Sequence, residues 1–325
     1  MNRVRHAATV LAVALSVSAS AQGVKQPLEQ VNAALQAGEA DKALAILHSL
    51  PQAGTRLVEA QNLECRVRLT LEQWDAAAQA CEQAVRLDGQ NSSYHLWLGR
   101  ALGEKASRAS FLNAYSLAKR VRAEMEEAVR LDPRNADALA DLGEFYYSAP
   151  AVVGGGTDKA EGVAAKLEKI DPASAHELRG HIAEERKDYG AAERELKQAI
   201  AGSAHPASQW MTLAGFYRHR ERWTEMESAV HSGESAAERD KRAGVALFNG
   251  ALLLIKTNRD PARAAKMLES YLAGSAKTEE APAFVAHTGL ARLKQQLGDA
   301  AAASRERNAA LALAREYKPA QDLKH

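Results

Sequence analysis

The chain has 325 residues, of which 46% are hydrophobic and 26% charged. This balance excludes an intrinsically disordered chain, a collagen-like chain and a membrane bundle. Aromatic residues make up only 5% whereas Ala is abundant, which favours closely packed helices over a β-sandwich. The 42 basic residues nearly equal the 41 acidic ones, so the positive excess of a nucleic-acid-binding protein is missing and we expect no nucleic-acid partner.

The N-terminus has the pattern of a secretory signal peptide. Arg3 and Arg5 precede an uncharged apolar run over residues 7–18, and the small residues 19–21 fit a cleavage site. As a helix the run would reach only about 18 Å, which is too short for a hydrocarbon core of about 30 Å. We therefore predict a signal peptide of residues 1–21, cleaved after Ala21, and a periplasmic or secreted protein without a transmembrane segment in its mature chain.

Residues 22–325 repeat a unit of two short helices. Segments 81–88 and 125–132 both end in Ala-Val-Arg-Leu-Asp, which predicts two helices of the same kind. Small residues recur twelve positions apart, as in Gly180 and Ala192, where two helix backbones could approach each other closely. The period is about 37 residues, which indicates a 34-residue unit with insertions.

These segments and spacings resemble the tetratricopeptide repeat (TPR) family, whose unit is a 34-residue helical hairpin. The resemblance covers nearly all of residues 22–325. It implies an all-α, right-handed solenoid of about eight hairpins, with insertions in the third and fourth and a polar capping hairpin at about residues 282–317. Residues 94–172 are also similar to uncharacterised exported bacterial TPR proteins, a similarity that implies no activity.

Two insertions interrupt the repeat. Residues 103–112 lengthen the third hairpin, and residues 148–157 replace a short turn in the fourth. The second insertion contains Gly154, Gly155 and Gly156 directly before a predicted helix, but the spacing of a phosphate-binding loop is absent. We interpret these glycines as a turn, with a partner-binding loop as the alternative.

The pattern is weakest at residues 233–242 and 274–282, which we interpret as long polar linkers. The paired carboxylates Glu184-Glu185 and Glu279-Glu280 are interpreted as solvated helix faces. Signatures of metalloproteases, serine hydrolases and Cys-x-x-Cys sites are absent. We therefore predict no catalytic residues, no metal site and no cofactor.

Cys65 and Cys81 are the only cysteines, and both fall in the second hairpin at the seam between its helices. An exported protein with two cysteines can oxidise them. A disulfide needs Cα atoms closer than about 7 Å, and the two positions are staggered by about one helical turn. Two interpretations stay open, a disulfide or two buried small hydrophobic side chains.

The repeat register places one set of polar side chains on the concave surface of the solenoid, along the first helix of each hairpin. For any single member, the simpler interpretation is a side chain that keeps the helix soluble. As a group they would form a partner-binding groove of mixed charge, with Tyr147 as an anchor. The set is Arg66, Arg100, Glu144, Tyr147, His181, Glu184, Arg218 and Arg292.

We predict a non-enzymatic scaffold or adaptor that binds a protein or peptide through this concave surface, as a monomer or a weak homo-oligomer. One alternative is an enzyme or small-molecule-binding protein with a pocket between residues 103–112 and 150–157. The other is a structural protein that self-associates, against which the polar terminal hairpin argues.

Overall fold

The computed structural model describes residues 26–51 and 57–323. These residues form helices and turns, with no strand among them. The expected signal peptide, residues 1–21, lies outside this described part. None of the described helices is both long and apolar enough to cross a membrane.

The described helices follow one another with short connections, and one 3₁₀ turn (Ala151–Val153) precedes the eighth. They are α1 (residues 26–37), α2 (Ala40–Ser49), α3 (Leu57–Thr70), α4 (Trp74–Leu87), α5 (Ser92–Ala106), α6 (Phe111–Leu131), α7 (Ala136–Ser148), α8 (Thr157–Leu167), α9 (Pro172–Glu185), α10 (Tyr189–Gly202), α11 (Ala207–His219), α12 (Trp223–Arg239), α13 (Gly244–Lys256), α14 (Pro261–Ala273), α15 (Ala283–Gln296), α16 (Ala300–Leu313) and α17 (Lys318–Gln321).

Consecutive helices pack in pairs, from α1 with α2 to α15 with α16. This gives eight hairpins in the described chain and confirms the predicted all-α solenoid. Small residues allow the close pairing. A Cβ atom on Gly180 of α9 would lie 2.7 Å from Cδ2 of Leu196 on α10, and Ala192 is fully buried. The twelve-residue spacing therefore marks the points where two backbones approach.

Two irregular segments of the sequence are mostly helical. The insertion at residues 103–112 extends α5 to Ala106 and lets α6 begin at Phe111, so that α6 has 21 residues. The prediction of a linker at residues 233–242 is wrong for most of these residues, because α12 continues to Arg239. Gly233 is buried there against the side chain of Met211, which explains why a glycine occupies the helix interior.

The two ends of the solenoid pack against each other. Phe284 of α15 and Ala310 of α16 are fully buried in one apolar cluster with Val31 and Leu63 from the first two hairpins. The hairpin at residues 282–317, predicted as a polar cap, thus has one apolar side that is buried against the first two hairpins, while most of α16 stays partly or fully exposed. Each end of the solenoid has an apolar face, and the two faces bury each other instead of meeting water.

Polar contacts reinforce this closure. Glu279 accepts hydrogen bonds from Gln36 Nε2 at 3.0 Å and from Arg66 Nε at 2.9 Å. The Tyr317 hydroxyl donates to Glu72 Oε1 at 3.2 Å. Residues 274–282, expected as a long polar linker, thus also contact the first two hairpins through Glu279.

Candidate partner-binding groove

A cavity of about 710 Å³ lies on the side of the solenoid formed by α3, α5 and α7. These are the first helices of the second, third and fourth hairpins, which the repeat register places on the concave surface. Glu279 and Glu280 of the segment before α15 line the opposite side. We call this cavity the groove. It exists because the solenoid closes, since its second wall comes from the other end of the chain.

Trp97 contacts two arginines in the groove. The guanidinium carbon of Arg66 is 5.1 Å from the centre of the indole ring, and that of Arg100 is 4.7 Å away. Both distances fit cation–π contacts. Three positions separate Trp97 from Arg100 on α5, which places them on one helix face. Trp97 was not among the residues predicted to line the groove, although its helical spacing from Arg100 was a usable signal.

Asp141 holds Arg100 in place. Nε and Nη2 of Arg100 donate to the two carboxylate oxygens of Asp141, at 2.5 Å and 3.3 Å. Burial disfavours the charged guanidinium, but the Asp141 carboxylate outweighs this effect and raises the pKa of Arg100. Asp141 was also missed, although it follows Arg100 by about one repeat and therefore lies on the neighbouring first helix.

Two further carboxylates in the groove have no such partner. Removal from water raises the pKa of Glu144, and the nearby Asp141 adds to this effect while Arg100 opposes it. Removal from water likewise raises the pKa of Glu280. The prediction of a solvated helix face for Glu279-Glu280 is wrong, because both lie in a turn and the Glu279 side chain is only 11% exposed.

The predicted residues continue along the next two first helices. The rings of Tyr147 on α7 and His181 on α9 stack with centroids 5.5 Å apart. Burial lowers the pKa of His181. Glu184 accepts a hydrogen bond from Nδ1 of His219 at 3.1 Å, and Arg218 is next to that histidine on α11.

Seven of the eight predicted residues therefore follow one another along α3, α5, α7, α9 and α11. Arg66, Arg100 and Glu144 line the groove itself. Arg292 lies on α15, outside this series, where its guanidinium donates to the carbonyl oxygen of Pro319 in α17 at 3.5 Å.

The glycine segment forms a compact turn. The N–H of Gly156 donates to the Tyr146 carbonyl at 2.7 Å, and the N–H of Gly155 donates to the Pro150 carbonyl at 3.2 Å. A Cβ atom on Gly155 would overlap the carbonyl oxygen of Ala149. These contacts agree with the turn interpretation.

The groove is not the alternative pocket between the two insertions. The groove reaches Gly103 and Ser107 of the first insertion and ends at Ser148, but none of residues 150–157 lines it. The reason is that the glycine turn packs against α6, where Gly154 contacts the Arg122 side chain.

Cys65 and Cys81 form a disulfide in the structure, with Cα atoms 5.2 Å apart. Both residues are fully buried between α3 and α4. The stagger of one turn is thus compatible with the bond. Among residues 26–51 and 57–323, no group of three or more His, Cys, Asp or Glu side chains is placed to hold a metal ion.

Eight consecutive hairpins, with small residues where paired helices touch, are the architecture expected of a TPR solenoid. The chain has a TPR-type fold. No family model matches the sequence, and neither does any curated protein.

Solved structures that resemble this TPR-type solenoid include a thermophilic TPR protein of Thermus thermophilus. That match has a TM-score of 0.49 and 17% sequence identity, and it covers 59% of this chain and 97% of the other. Two structures of MamA are also similar. One has a TM-score of 0.36 and 15% identity over 53% of this chain and 93% of MamA. The second has a TM-score of 0.38 and 14% identity over 57% and 93%.

Proposed function

We propose that the protein is a non-enzymatic scaffold that binds a protein or peptide partner in the groove. One observation carries the proposal, the contact of Trp97 with both Arg66 and Arg100 in an open cavity of about 710 Å³. Trp and Arg dominate the binding energy of many interfaces when they lie in sheltered pockets. The two arginines fix the ring, so that little side-chain entropy is lost when a partner packs on it.

The charge of the groove favours a basic partner. Five carboxylates and only two guanidinium groups line it, and both guanidinium groups already contact carboxylates. Glu144 and Glu280 form no ion pair with these guanidinium groups, and partial removal from water raises the pKa values of both although Arg100 opposes this. A Lys or Arg side chain of a partner would neutralise these carboxylates and place its aliphatic stem on Trp97.

The proposal includes export to the periplasm or the cell exterior. It is supported by the signal-peptide pattern of residues 1–21 and by the Cys65–Cys81 disulfide, since such bonds persist in oxidising compartments. We further propose a monomer or a weak homo-oligomer, because the apolar ends of the solenoid cover each other and are not available for stacking.

Site-specific photo-crosslinking in the native envelope tests the groove. A photoreactive amino acid is placed at Ser107 or Ser148, which are exposed at the rim of the groove, and at Lys266 as an exposed control on α14. We expect the two rim positions to capture the same protein, and a Lys- and Arg-rich peptide to compete with it. Equal capture from Lys266, or competition by an acidic peptide alone, would contradict the proposal.

A further inference from the structure

A second cleft lies between α6, α7 and α8 and shares no lining residue with the groove. Its volume is about 780 Å³, within the range of about 300–1,000 Å³ that is usual for small-molecule sites. The floor is apolar. Val129 and Leu142 are buried there at 8% and 4% exposure, and Ile170 packs against the same core.

Three cations at the rim of this cleft lack partners. Within the described part of the chain, no carboxylate pairs with the side chains of Arg134, Lys166 or Lys169, all of which are exposed. Arg134 belongs to the turn between α6 and α7, whereas the lysines come from the end of α8 and the turn after it. Positive charge therefore flanks the apolar floor on two sides.

The other charged groups at the rim are already satisfied. Arg130 donates to Glu127 at 2.6 Å and 2.7 Å. Glu126 accepts a hydrogen bond from the Tyr146 hydroxyl at 2.8 Å. The positive charge available to a ligand is thus that of the three unpaired side chains.

We propose that this cleft binds an amphipathic anion, an aliphatic chain with a carboxylate or phosphate head group. The chain would cover the floor formed by Val129, Leu142 and Ile170, which removes apolar surface from water. The head group would pair with the unpartnered cations at the rim.

Binding of ten-carbon probes tests both the site for the aliphatic chain and the site for the anionic head group. Decanoate, decyl phosphate and the neutral decanol are titrated into the full-length mature protein by displacement of a fluorescent fatty acid. We expect at least one anion to bind about tenfold more tightly than decanol, since charge pairs at a surface contribute modestly but add up. The two anions distinguish a carboxylate site from a phosphate site. Equal affinity for decanol, or no binding of either anion at millimolar concentration, would overturn the proposal.

A charge-matched pair of variants locates the site. The triple variant Arg134→Gln, Lys166→Gln and Lys169→Gln should weaken binding of the anion about tenfold and leave decanol unchanged. The control variant Arg194→Gln, Lys256→Gln and Lys266→Gln removes three equally exposed cations elsewhere and should bind like the parent. Equal losses in both variants would show nonspecific attraction and overturn the site.

A diazirine analogue of decanoate provides a second measurement that does not depend on the variants. Mass spectrometry should find the label in the peptides that contain residues 129–134 or 166–170. Label confined to other peptides, or its displacement only by an acidic amphipathic peptide, would overturn the proposal. Thermal unfolding of each variant checks that the fold is unchanged, which we expect because all six substituted side chains are exposed.

Discussion

Arg66 and Glu279 are 213 positions apart in sequence and form a bidentate ion pair that joins the second hairpin to the segment before the last one. Their side chains are only 18% and 11% exposed, so the pair is largely shielded from water. Since Glu279 also lines the groove, one contact both closes the solenoid and completes the site.

The substitution Glu279→Gln should destabilise the protein. It leaves the Arg66 guanidinium without its carboxylate. Because the pair is neither fully exposed nor fully buried, we expect the free energy of unfolding to fall by about 2 kcal/mol, between the values for surface and buried ion pairs. Denaturant unfolding measures it. The control is Glu104→Gln, whose partner Arg108 is half exposed and which should cost less than about 1 kcal/mol. Equal costs would contradict the role of Glu279 in closure.

The double variant Glu144→Gln, Glu280→Gln should be more stable at neutral pH yet bind a basic peptide less well. Neighbouring atoms remove both carboxyls partly from water and raise their pKa values, so the folded state favours their protonated forms, but both residues keep exposed surface and the gain should be small. Their ionisation therefore lowers stability as the pH rises from the unfolded to the folded pKa, and Gln removes this loss. Unfolding at pH 4 and pH 7 should show the gain mainly at pH 7.

Binding of a Lys-rich peptide by the same double variant should weaken about tenfold in low salt. The matched control is Glu221→Gln, Glu238→Gln, which removes two exposed carboxylates outside the groove. Should the control lose as much affinity as the groove variant, the attraction would be general and not a property of the groove.

Gly155→Ala and Gly162→Ala should have opposite effects. A methyl group at Gly155 overlaps the Ala149 carbonyl oxygen and should cost about 2 kcal/mol of stability. Gly162 lies in α8 with no heavy atom near its missing Cβ, so alanine should stabilise that helix by about 0.5–1 kcal/mol. Thermal unfolding of the two variants and the parent protein measures both changes in stability. If Gly155→Ala were as stable as the parent protein, the turn would be less tightly packed than in the structure.

The Cys65–Cys81 disulfide should contribute about 3 kcal/mol to stability, because it closes a loop of 16 residues in the unfolded chain. Protein purified from the cell envelope should show no reactive thiol until it is unfolded and reduced. The variant Cys65→Ala, Cys81→Ala should unfold at the same temperature with and without reductant. Two thiols in the denatured, unreduced protein would refute the disulfide and weaken the case for export.

The hairpins could be predicted from the sequence because each depends on nearby residues. Gly180 and Ala192 meet within one hairpin, so their spacing is enough to place them together. Only the side of the groove that the first helices form could be predicted from the sequence. Arg66 and Arg100 follow from the register, whereas Glu279 faces them through a closure that no local spacing encodes. The same holds for Phe284, whose apolar face is covered by helices from the opposite end of the chain.

The proposed function requires that Glu279 and Glu280 line the groove opposite α3, α5 and α7, and this requires that the two ends of the solenoid meet. Spin labels at Ala45→Cys on α2 and Ala312→Cys on α16 measure this directly by double electron–electron resonance, since both positions are exposed. The native cysteines do not interfere while they are joined in the buried disulfide.

Because α2 and α16 are in contact, we expect a single narrow distance distribution at about 30 Å or less. In Glu279→Gln the distribution should broaden. Eight hairpins in an open row, with adjacent helices about 8–10 Å apart, would separate the labels by about 60 Å or more. A broad distribution at that distance in the parent protein would contradict the closed solenoid and, with it, the groove.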